Sequence, residues 1–179
     1  MTGARCEIID ATIDDFAAHR ASFAVLFELC VAEGPALGYR APLTSTRRDA
    51  ILDLLSRSLA TGQGRLLLAR IDDCVIGSIM ILDDRETEPH LGQIAKLMVH
   101  PAHRRQGFAT RLLAAAESVA AAIGKTRLYL FTGDDGTAAA LYASNRYELC
   151  GRIPEGGTSA EATRIDALIF TKALIRPDL

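Results

Sequence analysis

Apolar positions recur along the chain with two periods, and each change of period marks an element. CEII (6–9) reads as a first strand. Phe16, Phe23, Phe27, Cys30 and Val31 then recur at helical spacing, with Thr12 as N-cap and Asp15 three residues on, the pattern of a capping box. GPALGYRAPL (34–43) has the glycine and prolines of a loop. A second helix follows, capped by Thr44 or Ser45, with Ile51, Leu54, Leu55 and Leu59 on its buried face, and TGQG (61–64) ends it. RLLLAR (65–70) and CVIGSIMIL (74–82) read as strands joined by a tight turn at Asp72-Asp73. After the polar loop DDRETEPH (83–90) comes the strand GQIAKLMVH (92–100). Leu112, Ala116, Val119 and Ile123 share one face of a helix over 110–124. RLYLFT (127–132) reads as a buried strand, Ala138 to Ser144 as a short helix, and YELCGR (147–152) with ATRIDALIFTKAL (162–174) as a closing antiparallel pair.

The resulting order is β-α-α-β-β-β-α-β-α-β-β. The strand–helix–strand unit between residues 93 and 132 predicts one parallel pair, because such crossovers join parallel neighbours. The flanking hairpins are antiparallel. The expected fold class is α/β, a mixed, mostly antiparallel central sheet with flanking helices.

The chain has 179 residues, 49% apolar and 23% charged, which fits one domain over 1–179 with a sizeable core. A formal net charge of −2 gives no basic surplus to suggest nucleic acid or an anionic membrane as partner. No apolar run reaches the roughly 18 residues of a membrane span, and MTGARCEIID lacks a signal-peptide core, so a cytoplasmic location is expected. Cys6, Cys30, Cys74 and Cys150 form no close pair and read as small thiols in a reducing compartment, with no metal site.

The candidate chemistry gathers around HRRQGFAT (103–110). A strand ends at His100 and a helix starts near Phe108. The first N–H groups of a helix have no intrahelical partner and carry the positive end of its dipole, a ready site for a pyrophosphate. Gly107 offers bare backbone there, Ala109 is the next smallest residue, and Arg104 and Arg105 add charge. The glycine could instead mark a plain turn. Neither GxxxxGK[ST] nor GxGxxG occurs, which argues against the commonest nucleotide loops.

Arg104-Arg105-Gln106-Gly107-Phe108-Ala109 resembles the R/Q-x-x-G-x-G/A motif of the GCN5-related N-acetyltransferases. The context resembles that family as well: Lys96-Leu97-Met98-Val99-His100-Pro101 before it, Thr110-Arg111-Leu112-Leu113 after it, and Ala138-Ala139-Ala140-Leu141-Tyr142 followed by Arg146-Tyr147. VAEGPALGYRAPLTSTRRDA and CGRIPEGGTSAEATRIDALIFTKAL are similar to the outer segments of tabtoxin-resistance acetyltransferases, so the resemblance spans nearly the whole chain. It implies an acyl-CoA N-acyltransferase fold and acetyl-CoA as the cofactor. The pyrophosphate would lie on backbone N–H groups from Arg105 to Thr110. The pantetheine arm would pair with Leu97, Met98 and Val99, where a bulge parts the 93–99 strand from the 127–132 strand. An N–H there could polarise the thioester carbonyl.

In the same resemblance Tyr142 matches the general acid for the departing thiolate. Gln93 stands where similar proteins carry a glutamate base, and glutamine cannot take a proton; Glu86, Glu88 and His90 are the nearby alternatives. His100 and His103 read as loop residues or weak CoA contacts. Asp135 falls where relatives place an asparagine against the pantetheine arm, and it reads equally as a turn and helix cap. Arg146 replaces the family's usual glycine. Tyr39, with the loops 34–43 and 83–90, would wall the acceptor; Asp83, Asp84, Glu86 and Glu88 make that wall acidic and suited to a cationic amine. The expected activity is acetyl transfer to a primary amine, with a small molecule as partner and a homodimer compatible with the sequence. The competing class is a non-catalytic acyl-CoA binder with the same fold.

Overall fold

The computed structural model describes residues 6–33, 37–39, 41–83, 86–134, 137–159 and 163–174. Its elements follow the expected order. They are β1 (Glu7–Ala11), α1 (Ile13–Glu33), α2 (Ser45–Ala60), β2 (Gly64–Ile71), β3 (Cys74–Leu82) and β4 (Leu91–Val99), then α3 (Phe108–Ala122), β5 (Arg127–Gly133), α4 (Thr137–Ser144), β6 (Glu148–Thr158) and β7 (Arg164–Ala173). The strands form one sheet in the order β1-β2-β3-β4-β5-β7-β6. Every neighbouring pair is antiparallel except β4 and β5. The crossover through α3 is what allows that one parallel pair.

Local chemistry sets the boundaries. Thr12 and Asp15 close a reciprocal cap on α1: Asp15 N–H donates to the Thr12 hydroxyl at 3.1 Å, and Thr12 N–H to the Asp15 carboxylate at 2.9 Å. The Thr12 hydroxyl, which donates to the Asp15 carboxylate at 2.6 Å, and the Thr12 N–H together hold that carboxyl below its ordinary range. Thr44, not Ser45, caps α2, accepting from Arg47 N–H at 3.3 Å. The β2–β3 turn puts Asp72 at φ +51, a conformation that aspartate tolerates better than most residues.

Both sheet faces are buried, each under its own helices. Phe16, Phe23, Phe27, Leu52 and Leu55 seal one face with Leu66, Leu68, Met80 and Met98. Phe108, Leu112, Leu113 and Ala116 seal the other with Leu67, Ile79, Ile81, Ile94, Leu128 and Leu130. Two expectations need correction. Leu54 is 59% exposed and Leu52 takes its place. At about 100° per residue, Ile51, Leu52, Leu55 and Leu59 fill one stripe, and Leu54 falls outside it. The strand over 127–132 is buried on one face only: Leu128 and Leu130 point into the core, whereas Phe131 is 48% exposed. The α1–α2 layer ends before it reaches β5.

Lys125 is a buried charge behind the 83–90 loop. It is 3% exposed and donates to the Asp83 carboxylate and, at 2.8 Å, to the Pro89 carbonyl. Removing one partner of such a pair strands the other, so Asp83→Asn should cost about 3 kcal/mol. The exposed Arg20–Asp53 pair provides the contrast: Asp53→Asn should cost under about 1 kcal/mol. Urea midpoints at matched slope measure both, and equal shifts would refute the buried-pair reading.

Candidate active site

The parallel pairing of β4 with β5 covers only Leu91–Ile94 against Arg127–Leu130. Beyond it β5 stays with β7 out to Gly133, and β4 continues to Val99 with no strand on that edge among the described residues. A bulge causes the parting. Met80 opposes Ala95 and Ser78 opposes Met98, so β4 carries one extra residue there. Lys96 sits at φ +52 in that bulge, and the buried Ser78 hydroxyl donates to its carbonyl at 2.9 Å. An edge of backbone amides is thereby left open inside the molecule rather than at its rim.

That edge forms one wall of a cleft of about 500 Å³. Leu97, Met98 and Val99 supply it; Arg104, Arg105, Gly107, Phe108, Ala109 and Thr110 form its end; Ala138, Leu141 and Tyr142 of α4 face them. A 3-10 turn over Pro101–His103 leads into the end loop, and α3 begins at Phe108 rather than Thr110. The first intrahelical bond of α3 runs from Arg111 N–H to the Gly107 carbonyl at 3.1 Å, so the N–H groups of Phe108, Ala109 and Thr110 have no helical partner. Gly107 has φ +81, and a Cβ added there would meet nothing within 4 Å. The turn reading of this glycine is met by its left-handed backbone, and the space beside it is open. Arg105 is also left-handed, at φ +61. Arg104 is drawn back, its Nε donating to the Val99 carbonyl at 3.2 Å.

Tyr142 is 7% exposed yet lines the cleft, packed 5.8 Å from the rings of Tyr147 and Phe170. Burial pushes its phenol up to about 12. Behind it the Tyr147 hydroxyl is sealed, without a hydrogen-bond partner among the described residues. Arg146 stands at φ +64, which accounts for glycine being usual there in the resembling family.

The other expected site residues lie elsewhere. Gln106 is exposed and donates to the Ala102 carbonyl at 3.3 Å. Gln93 belongs to the paired part of β4 and accepts from the Tyr129 hydroxyl at 3.1 Å, outside the cleft lining. Glu88 receives the Thr87 hydroxyl in the turn before β4, and Glu86 is exposed in the same loop; neither lines the cleft. Tyr39 packs edge-on against Phe27 at 5.2 Å and accepts from Lys96 Nζ at 2.9 Å. Asp83 is turned inward to Lys125. Asp84 and Asp135 lie outside the described residues. Cys30 of α1 lines the cleft and escaped the sequence reading, with no local signal; Leu37 lies in the 34–43 loop expected as an acceptor wall, and Ala138 and Leu141 stand in the α4 motif. His103, with its two open readings, lines the cleft 6.2 Å from the Phe108 ring. Among the described residues no cluster could hold a metal, and no helix is long and apolar enough to cross a membrane.

The model of the acetyltransferase (GNAT) family matches residues 29–146, more than half of the chain. The chain belongs to that family. Among solved structures, the ribosomal-protein-alanine N-acetyltransferase of Brucella melitensis is 22% identical, with 94% of this chain and 99% of that one covered and a TM-score of 0.76. The phosphinothricin acetyltransferase of Sinorhizobium meliloti, solved with acetyl-CoA, is 20% identical over 94% and 88%, with a TM-score of 0.75. An N-acetyltransferase from Staphylococcus aureus Mu50 is 16% identical over 96% and 99%, with a TM-score of 0.74. At these identities the likeness establishes the fold.

Proposed function

We propose that residues 1–179 form one acetyltransferase domain that moves an acetyl group from acetyl-CoA to the primary amine of a small molecule. The single observation that carries this reading is the open edge of β4 leading to the Gly107 cradle, with Tyr142 facing it. The residues fit the cofactor: free N–H groups at Phe108–Thr110 suit its pyrophosphate, and the unpaired edge at Leu97–Val99 suits its amide-bearing arm. Acetyl-CoA, when bound, supplies an acetyl group activated as a thioester. An N–H on the β4 edge polarises the carbonyl under attack. The Tyr142 hydroxyl holds a proton throughout the neutral range and offers it to the departing sulfur. Gln93, bonded to Tyr129, orients water or the acceptor, and the amine reacts in its neutral form. The likeness of the outer segments quoted above supports a subgroup similar to the tabtoxin-resistance acetyltransferases. We take the protein to act in the cytoplasm, without nucleic acid or membrane as partner; a homodimer is compatible with this reading.

Gln93 favours one second reading, a binder of acyl-CoA without turnover. Acetyl transfer from acetyl-CoA into a pool of amines, amino acids and aminated antibiotics, read by mass and by free thiol, separates the two. An acetylated product that needs the folded protein supports the enzyme. Tight acetyl-CoA binding with no acetylated product from any amine would leave the binder.

A further inference from the structure

Lys96 is the residue that the family motif leaves unused. Its left-handed backbone is fixed by the bulge, and Ser78 ties down its carbonyl. Its side chain reaches across to Tyr39, with Nζ 2.9 Å from the hydroxyl and 4.6 Å from the ring centroid. Tyr39 is held in turn by Phe27. The ammonium is thus placed by two rigid supports. One N–H is spent on Tyr39, and among the described residues no carboxylate pairs with it. A half-buried cation held that way, without a counter-charge, is suited to an anion from outside.

Its location says which anion. Lys96 and Tyr39 do not themselves line the cleft, but Leu97, the next residue, and Leu37, two residues before Tyr39, do, so the pair stands beside it. Tyr39 packs with the α1–α2 layer, whereas Tyr142 belongs to the α3 layer. The cation and the phenol therefore flank the open β4 edge from opposite faces of the sheet. An acceptor approaching from the Lys96 side meets the edge with Tyr142 beyond it. The described carboxylates of the expected acidic wall do not offset this charge. Asp83 is neutralised by Lys125, and neither Glu86 nor Glu88 lines the cleft.

We infer that the acceptor carries a carboxylate beside its amine, and that Lys96, oriented by Tyr39, reads that carboxylate. The inference rests on the acetyltransferase reading and narrows its substrate class from amines in general to amino acids.

The test uses the full chain with acetyl-CoA and matched triplets: leucine, leucinamide and 3-methylbutylamine, with phenylalanine, phenylalaninamide and phenethylamine as a second set. The parent protein should favour each amino acid over its amide and its amine by roughly 30-fold in kcat/KM. Lys96→Met should collapse that preference to within about threefold. Equal or better turnover of the amides and amines by the parent protein would overturn the inference while leaving the acetyltransferase reading intact. A preference that survives Lys96→Met would do the same. If that variant does not fold, the triplets on the parent protein decide alone. No turnover of these probes by protein that acetylates another amine would overturn this inference alone; acetyl-CoA binding with no turnover of any amine in the wider pool would overturn the acetyltransferase reading and this inference with it.

Discussion

Gly107→Asn lowers acetyl-CoA affinity by roughly 100-fold or more, while Gly124→Asn leaves it where it was. The two glycines are a matched pair. Gly107 precedes α3 at φ +81 and Gly124 follows it at φ +85; a Cβ at either meets no atom within 4 Å. Asparagine is among the side chains most tolerant of that backbone region, so both substitutions keep the turn at a cost near 1 kcal/mol. The folded protein therefore has no reason to distinguish them. A ligand has one: only at Gly107 does the new side chain fill the space above the free N–H groups of Phe108, Ala109 and Thr110. The dipole argument points the same way, since an anion gains at the start of α3 and loses at its end. Titration calorimetry with acetyl-CoA measures both variants, and thermal unfolding checks that they are equally folded. Affinity within threefold of the parent chain for Gly107→Asn would mean that the glycine serves the turn alone and that the pyrophosphate lies elsewhere.

The contrast between these glycines also shows where sequence reasoning stops. Periodicity located the helices and the central strands, because each buries a stripe or face; the outermost strand β6 buries no residue and rests on its pairing with β7. The stripe expected on α2 wrongly included Leu54: at about 100° per residue Leu52 completes it with Ile51, Leu55 and Leu59, and Leu54 falls outside. Periodicity failed where neighbouring layers decide. The more consequential case is β4. Ile94 and Met98 are four residues apart and in a regular strand would share a face. They lie in different core layers, Ile94 under α3 and Met98 under α1, because the bulge at Lys96 inserts one residue. The resemblance implied a bulge in this strand, but the pattern IAKLMV gives no sign of which residue it takes. The consequence is chemical: the residue with the displaced backbone is also a cation that no carboxylate among the described residues pairs with. The cradle, in contrast, was legible, because Gly107, Ala109 and the helix start are contiguous. The lining from Cys30 was not, since it comes from a segment that only the completed fold brings to β4.

Tyr142→Phe is expected to lower kcat by about 10²-fold with little change in the KM for acetyl-CoA. The substitution removes one oxygen and keeps the ring, so the contacts at 5.8 Å with Tyr147 and Phe170 remain. Stability should therefore stay within about 1 kcal/mol. The Tyr142 hydroxyl donates to no described group and, unlike that of Tyr147, is not sealed. It has a proton to offer and only the cleft to offer it to. Burial raises its ionisation to about 12, against about 8.5 for an ordinary thiol. Complete transfer to a free thiolate would be uphill by roughly 5 kcal/mol on those values. The hydroxyl thus acts while the carbon–sulfur bond is breaking, when the sulfur is gaining charge and the hydrogen bond is strengthening. The same raised value fixes the pH behaviour. Tyr142 keeps its proton until the pH nears about 12, so it produces no falling limb between roughly pH 6 and 10. The loss in Tyr142→Phe should then be a constant factor across that range, with the rising limb set by the acceptor amine unchanged. Turnover of Tyr142→Phe equal to that of the parent chain, or a deficit that appears only at high pH, would remove Tyr142 as the donor and leave the departing sulfur to be met by solvent.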